Sequence, residues 1–297
     1  MSMADTAVKQ TGPSGSNDSR RPIWLCADDY GISPAVNKAI RDLVMQGRLN
    51  ATSVMVVAPS GGRPEAASLN VLNAGTKRVA IGLHVTLTGA FRPISAGFRP
   101  TRSGTFLSLE QMFARGALRL LNRKTLATEI AAQVDAFVAL FGRTPDFVDG
   151  HQHVHLFPRV REVFLDVIKQ RTPDAWVRQC GRPVVPDRPA DRKSQFLDRL
   201  SAKFRELATA QGMRTNPAFA GAYDYKARKT PEFARLFPRF LDELPADGVI
   251  MCHPGVVDAE LVRLDPLTDL REREYAYFAG DDFPDILARR GFKLAAV

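Results

Sequence analysis

The chain has 297 residues, 45% of them hydrophobic and 25% charged, with a formal net charge of +9. That balance suits a globular protein burying a full core as one large α/β domain or two small ones. No apolar run approaches the roughly 20 residues that a helix needs to cross a bilayer, so no membrane insertion is expected. The basic residues are dispersed, without aromatic interleaving, so they read as a solvated surface and not as a nucleic-acid face.

Residues 1–20 are polar and Gly/Ser-rich with no apolar signal core, and are expected to form a disordered tail. Residues 21–297 show no convincing internal boundary and are expected to form a single domain. Cys26, Cys180 and Cys252 are odd in number, widely spaced and without a CxxC, which predicts reduced thiols in a cytoplasmic protein. Ile23 to Ala27 is a continuous apolar run, as in a strand buried on both faces. It ends in Asp28-Asp29-Tyr30-Gly31. Ser33 as N-cap and Pro34 at the first helical position then start a helix that Gly47 ends. Strands are predicted over Ala51 to Ala58 and Val79 to Leu87, with a short helix between them near Glu65 to Leu72. Phe91 to Leu107 is aperiodic and rich in Gly, Pro and Arg, the pattern of a functional or disordered loop. Helices follow near Ser108 to Leu121 and Thr125 to Phe141. In the second, Leu126, Ile130, Val134, Phe137, Val138 and Phe141 make an apolar stripe for the core.

Phe147-Val148 enters as a strand the stretch Asp149-Gly-His-Gln-His-Val-His155, which holds three of the chain's five histidines. A helix over Pro158 to Gln170 and a strand over Trp176 to Gln179 come next. Arg182 to Lys193 is irregular, Ser194 to Ala210 helical, and Asn216 to Lys229 a loop with a short strand. Thr230 to Leu244 reads as a helix, Gly248 to Cys252 as a strand ending in His253-Pro-Gly, and Asp265 to Thr268 as a turn. Two helices, Leu270 to Phe278 and Phe283 to Arg290, and a strand, Phe292 to Ala296, close the chain. Strands alternating with helices predict a parallel sheet with right-handed crossovers. Seven or eight units fit a distorted (β/α) barrel, with an open doubly wound sheet as the alternative.

In both folds ligands bind at the C-terminal strand ends, where Asp28, Asp29, His84, His151 and His253 fall. Adjacent carboxylates repel unless a cation sits beside them; a metal bound by one of Asp28 and Asp29 would free the other as a base. His151, His153 and His155, at i, i+2 and i+4, would share one side of an extended segment. With Asp29 and His84 supplying two ligands, one further histidine would complete an open, catalytic three-ligand site. The others would hold substrate or orient neighbours, and Asp149 is a natural acceptor for a ligand imidazole. Together these residues describe a hydrolase: a metal polarises a carbonyl and lowers the pKa of water, Asp28 accepts the water proton, and His253 protonates the leaving nitrogen. A nucleophilic serine motif and a phosphate-cradling loop are both missing. A metal-dependent phosphoesterase and a non-catalytic sugar- or nucleic-acid-binding protein are the competing readings.

Ala-Asp-Asp-Tyr-Gly at 27–31, Gly-Leu-His at 82–84, Asp-Gly-His-Gln-His-Val-His at 149–155 and His-Pro-Gly at 253–255 resemble the motifs of the YdjC-like carbohydrate deacetylases. That group includes the chitooligosaccharide and hopanoid-associated deacetylases. The resemblance runs from about Ile23 to the C-terminus. It implies a distorted (β/α) barrel related to the polysaccharide deacetylases and hydrolysis of the amide of N-acetylated sugars, in an oligosaccharide or glycolipid. It implies Asp29, His84 and His151 as ligands to one divalent ion, Asp28 as base, and His253 as acid or substrate contact. His153, His155, Asp149 and Tyr30 would line the pocket or support the ligands. Two histidines and a carboxylate suit Zn²⁺, and with waters also Mg²⁺, Mn²⁺ or Co²⁺. The expected partner is an N-acetylated sugar, with no nucleic acid and no membrane insertion; the sequence leaves a homodimer open.

Overall fold

In a computed structural model, the described residues are 18–183, 192–223 and 232–297. Most of the tail and parts of the 182–193 and 216–229 segments lie outside them. Strand β1 (Arg21–Tyr30) is the centre of the sheet. It pairs in parallel with β2 (Ala51–Val54) on one side and β7 (Val249–Cys252) on the other. Beyond β2 lie β3 (Ala80–Val85), β4 (Phe147–Gly150) and β5 (Trp176–Val177); beyond β7 lies β6 (Phe219–Ala220). The last strand, β8 (Phe292–Leu294), pairs with the start of β1. The eight strands of the described residues all run parallel, and the sheet curls: Val177 of β5 bridges to Thr215, just ahead of β6 at the other edge. The expected distorted barrel of seven to eight parallel strands is what the chain forms.

The helices are α1 (Pro34–Met45), α2 (Arg63–Asn70), α3 (Leu109–Ala117), α4 (Arg123–Phe141) and α5 (Val160–Arg171), then α6 (Arg192–Ala210), α7 (Phe233–Phe240), α8 (Ala259–Leu264), α9 (Asp269–Ala279) and α10 (Asp282–Arg289). They cover the sheet, which is why Ile23, Leu25 and Ala27 of β1, all fully buried, read as a continuous apolar run. Ser33 caps α1 as anticipated, its hydroxyl accepting from the Val36 N–H. The α4 stripe is buried except Val138, which is 37% exposed and faces out. β2 is shorter than expected, stopping at Val54. Helix α8, capped by the Asp258 carboxylate, was not legible in the pattern. All three cysteines are buried and free, as expected. Among the described residues no helix is long and apolar enough to cross a membrane.

The histidine stretch departs most from expectation. After β4 the chain does not stay extended but winds into a 3₁₀ turn, His151–Leu156, with Gln152 and His153 at φ of 53° and 57°. The i, i+2, i+4 spacing therefore does not put the three rings on one side. Gly150 permits the turn: a Cβ there would lie 2.8 Å from His155 Nδ1, where nothing but hydrogen fits.

Candidate metal centre and active site

β1 ends in a bend that aims its two carboxylates differently. The register with β2 shifts between Ala27 and Tyr30, and Asp29 has φ of 67°, a left-handed conformation that Asp tolerates better than most residues. Asp29 thereby faces the ends of β3 and β4. Its Oδ1 lies 3.0 Å from His151 Nδ1 and 3.4 Å from His84 Nε2. These three buried side chains form a group that could hold a metal ion. The spacing fits such an ion: donors ~2.1 Å from a common centre stand ~3.0 to 3.4 Å apart for angles between octahedral and tetrahedral. The support behind the group fits as well. His84 Nδ1 is 2.5 Å from Asp149 Oδ1 and 3.0 Å from Ser53 Oγ, which leaves Nε2 turned to Asp29. Phe91 packs its ring edge-on to His151 at 5.9 Å.

Asp28 turns to the other side. Both of its oxygens accept from Arg178, Nη1 and Nη2 each at 2.6 Å, and Ser53 Oγ links Oδ1 to His84 Nδ1. Arg178 Nη1 also lies 3.0 Å from Asp149 Oδ2, an ion-pair contact outside hydrogen-bond geometry. Cys26, Asp28 and Asp149 thus also converge, but the guanidinium of Arg178 already supplies the cation between the two carboxylates. A second arginine, Arg271 from α9, donates to Asp29 Oδ2 at 2.6 Å and to Asp265 at 3.2 Å. Both arginines are fully buried.

The charge balance follows from this packing. Four carboxylates, Asp28, Asp29, Asp149 and Asp265, share two guanidiniums. Burial opposes a charged His84, yet Asp149 and Asp28 override it and carry its pKa up to about 10. The upward pull on His84 reflects the carboxylates crowded around it, and a divalent ion held by His84 would offset the same negative charge. Asp28 is buried too, and Arg178 followed by His84 holds its carboxyl below the usual range. Asp29 is likewise held well down, by His151 and Arg271 against its burial.

His253 follows β7 and brings Nε2 to 4.0 Å from Asp29 Oδ2; burial lowers its pKa to about 4, with Asp29 pulling the other way. His153 is partly buried, its Nδ1 3.4 Å from Cys180 Sγ and its ring against Phe219. His155 is fully buried between Phe164 and Phe204, with Nε2 2.8 Å from the Arg178 carbonyl. It packs behind Arg178 and does not line the pocket. Tyr30 is also buried away from the ligand group, its hydroxyl donating to the Glu65 carbonyl and accepting from Arg41. Of the residues expected here, the structure brings together Asp28, Asp29, His84, Asp149, His151 and His253. Sequence reasoning missed Ser53, Arg178, Arg271 and Glu274, whose carboxylate accepts from the His253 backbone N–H. For Arg178 a signal existed: it directly follows β5, at the strand end where ligands gather.

These features define a parallel α/β protein whose strand ends converge on a buried His/Asp group able to hold a divalent ion. A family model described as YdjC-like protein matches residues 22–289, and the chain belongs to that family. Relatives include the chitooligosaccharide deacetylase of Serratia marcescens, 30% identical over 80% of this chain and 83% of its own. That of Escherichia fergusonii is 27% identical over 93% and 98%. A solved structure from Enterococcus faecalis, ascribed to cellobiose-phosphate cleavage, superposes with a TM-score of 0.72 at 23% identity, over 93% of this chain and 97% of the other. That likeness concerns the fold.

Proposed function

We propose that this chain is a metal-dependent N-deacetylase of carbohydrates, releasing acetate from an N-acetylglucosamine-type sugar. The observation that carries it is the division of labour at the end of β1: Asp29 joins His84 and His151 in a ligand group, while Asp28 is held apart by Arg178. The names of the relatives, chitooligosaccharide deacetylases, support the substrate class. Asp29, His84 and His151 would hold one divalent ion, Zn²⁺, Mg²⁺, Mn²⁺ or Co²⁺. When bound, the ion polarises the amide carbonyl and lowers the pKa of water. Asp28, kept ionised and oriented by Arg178, accepts the proton of the attacking water. Asp149 fixes the His84 ring. His253 is held neutral near pH 7, so the proton it gives to the leaving nitrogen is acquired during turnover, from the water deprotonated at Asp28. His153, partly buried beside Cys180 and Phe219, would contact the sugar.

The test is acetate release from a panel of N-acetylated sugars, chitooligosaccharides included, with and without chelator, beside phosphate release from sugar phosphates. Acetate release that the chelator abolishes and added divalent metal restores is expected. Chelator-sensitive phosphate release without acetate would instead establish a phosphoesterase.

A further inference from the structure

The turn after β7, His253-Pro254-Gly255, has two backbone N–H groups, because Pro254 carries none. Helix α9 accepts both. Gly255 N–H donates to the Arg271 carbonyl at 3.1 Å, and His253 N–H donates to Glu274 Oε2 at 2.5 Å. The other oxygen, Glu274 Oε1, accepts from the Tyr223 hydroxyl at 2.6 Å. Glu274 is 1% exposed, in a place where an ionisable carboxyl is costly to bury, and burial raises its pKa to about 7. Arg271 and Glu274 stand three residues apart, on one face of α9. Through them one helix holds the ligand carboxylate Asp29 and the backbone of His253 in a fixed relation.

We propose that Glu274 is a positioning residue for His253: its carboxylate, oriented by Tyr223, fixes the His-Pro-Gly turn so that the imidazole keeps its place beside the Asp29 group. The proposal rests on the reading of His253 as the group facing the scissile amide. A carboxylate serves here because each of its two oxygens answers one donor. Glutamine can do the same, accepting from His253 N–H through its carbonyl and donating to the Tyr223 hydroxyl through its amide. Aspartate keeps the charge but is one methylene too short to reach both donors from α9.

The experiment compares Glu274→Gln, Glu274→Asp and Glu274→Ala for metal content and acetate release, alone and with His253→Ala. Glu274→Gln is expected to keep kcat within about threefold of wild type. Glu274→Asp should lose about tenfold and Glu274→Ala about 100-fold in kcat, with KM and metal content unchanged, effects typical of a misplaced proton-transfer group. With His253→Ala already present, Glu274→Ala should cost nothing further. Wild-type kcat in Glu274→Ala, metal lost along with activity, or an equal loss with and without the His253 ring would overturn the proposal. Should Glu274→Ala fail to fold, Glu274→Asp with and without His253→Ala decides by the same criterion. A readout independent of turnover is the amide proton of His253 in NMR. It is expected far downfield in wild type and moved upfield in Glu274→Ala and Glu274→Asp; an unmoved resonance would also overturn the proposal. A wild-type chain that releases no acetate would defeat the deacetylase reading, while this resonance would still report on the Glu274 contact.

Discussion

Arg178 shows what a single buried residue does here. Its guanidinium fills the space between Asp28 and Asp149, gripping the first with two hydrogen bonds and leaning over the Phe219 ring at 5.6 Å. Removing it strands two buried carboxylates. Arg178→Met is therefore expected to lose about 3–5 kcal/mol of stability in denaturant unfolding. Arg178→Lys should fold, because the charge remains, but it loses the two-pronged grip. Since Arg178 is what lowers the Asp28 pKa, weakening the pair raises it. Asp28 is then protonated at higher pH, and with Asp28 as the proposed base the acid limb of kcat/KM is expected to move upward in Arg178→Lys. An unmoved limb would separate Arg178 from the base. The histidines and paired aspartates were legible because those residue types seldom gather without chemistry. Arg178 was not, because the strand expected over Trp176 to Gln179 runs past it, and only β5 stopping at Val177 puts this one arginine of a basic chain at a strand end.

At the scale of elements, the 3₁₀ turn after β4 is where local pattern misled. Alternation along an extended chain predicts three rings on one face. Positive φ at Gln152 and His153 instead sends His151 to Asp29, His153 toward Cys180 and His155 into the core behind Arg178. Backbone of that kind depends on tertiary space, here the gap that Gly150 leaves for the His155 ring, and periodicity does not encode it. The turn has a consequence for pH. His155 Nε2–H donates to the Arg178 carbonyl, and Nδ1 has no hydrogen-bond partner among the described residues, so burial holds its pKa well below 6.5. The unfolded chain takes up this proton first. The resulting stability is present above pH 6.5 and is lost as pH falls through 6.5 toward the lower folded value. His155→Gln keeps a donor for the carbonyl but does not titrate. Its unfolding free energy should decline less than that of wild type between about pH 7 and 5, by up to roughly 1.4 kcal/mol per unit. Equal declines would show that His155 is not the acid-sensitive group.

At the scale of the molecule, the architecture was readable from alternation: apolar runs that read as buried strands alternate with helical segments until the last strand, β8, closes the chain. The curl of the sheet, the short edge strands β5 and β6 and the role of α9 come from long-range packing and left little local trace. What the whole fold achieves is to carry β1, β3, β4 and β7 to one end. There Asp29, His84 and His151 meet as a group that could hold a metal ion, with Asp28 turned aside to Arg178 and His253 within 4.0 Å of Asp29, the geometry from which the ligand, base and acid roles are proposed. The most direct test of this arrangement measures bound metal and acetate release together in Asp28→Asn, with His151→Ala as its counterpart. The account predicts that Asp28→Asn keeps about one ion per chain yet loses on the order of 10²–10⁴ in turnover, the contribution of a general base. His151→Ala should lose the ion itself. Near-wild-type acetate release by Asp28→Asn, or loss of its metal, would contradict the separation of ligand and base at the end of β1.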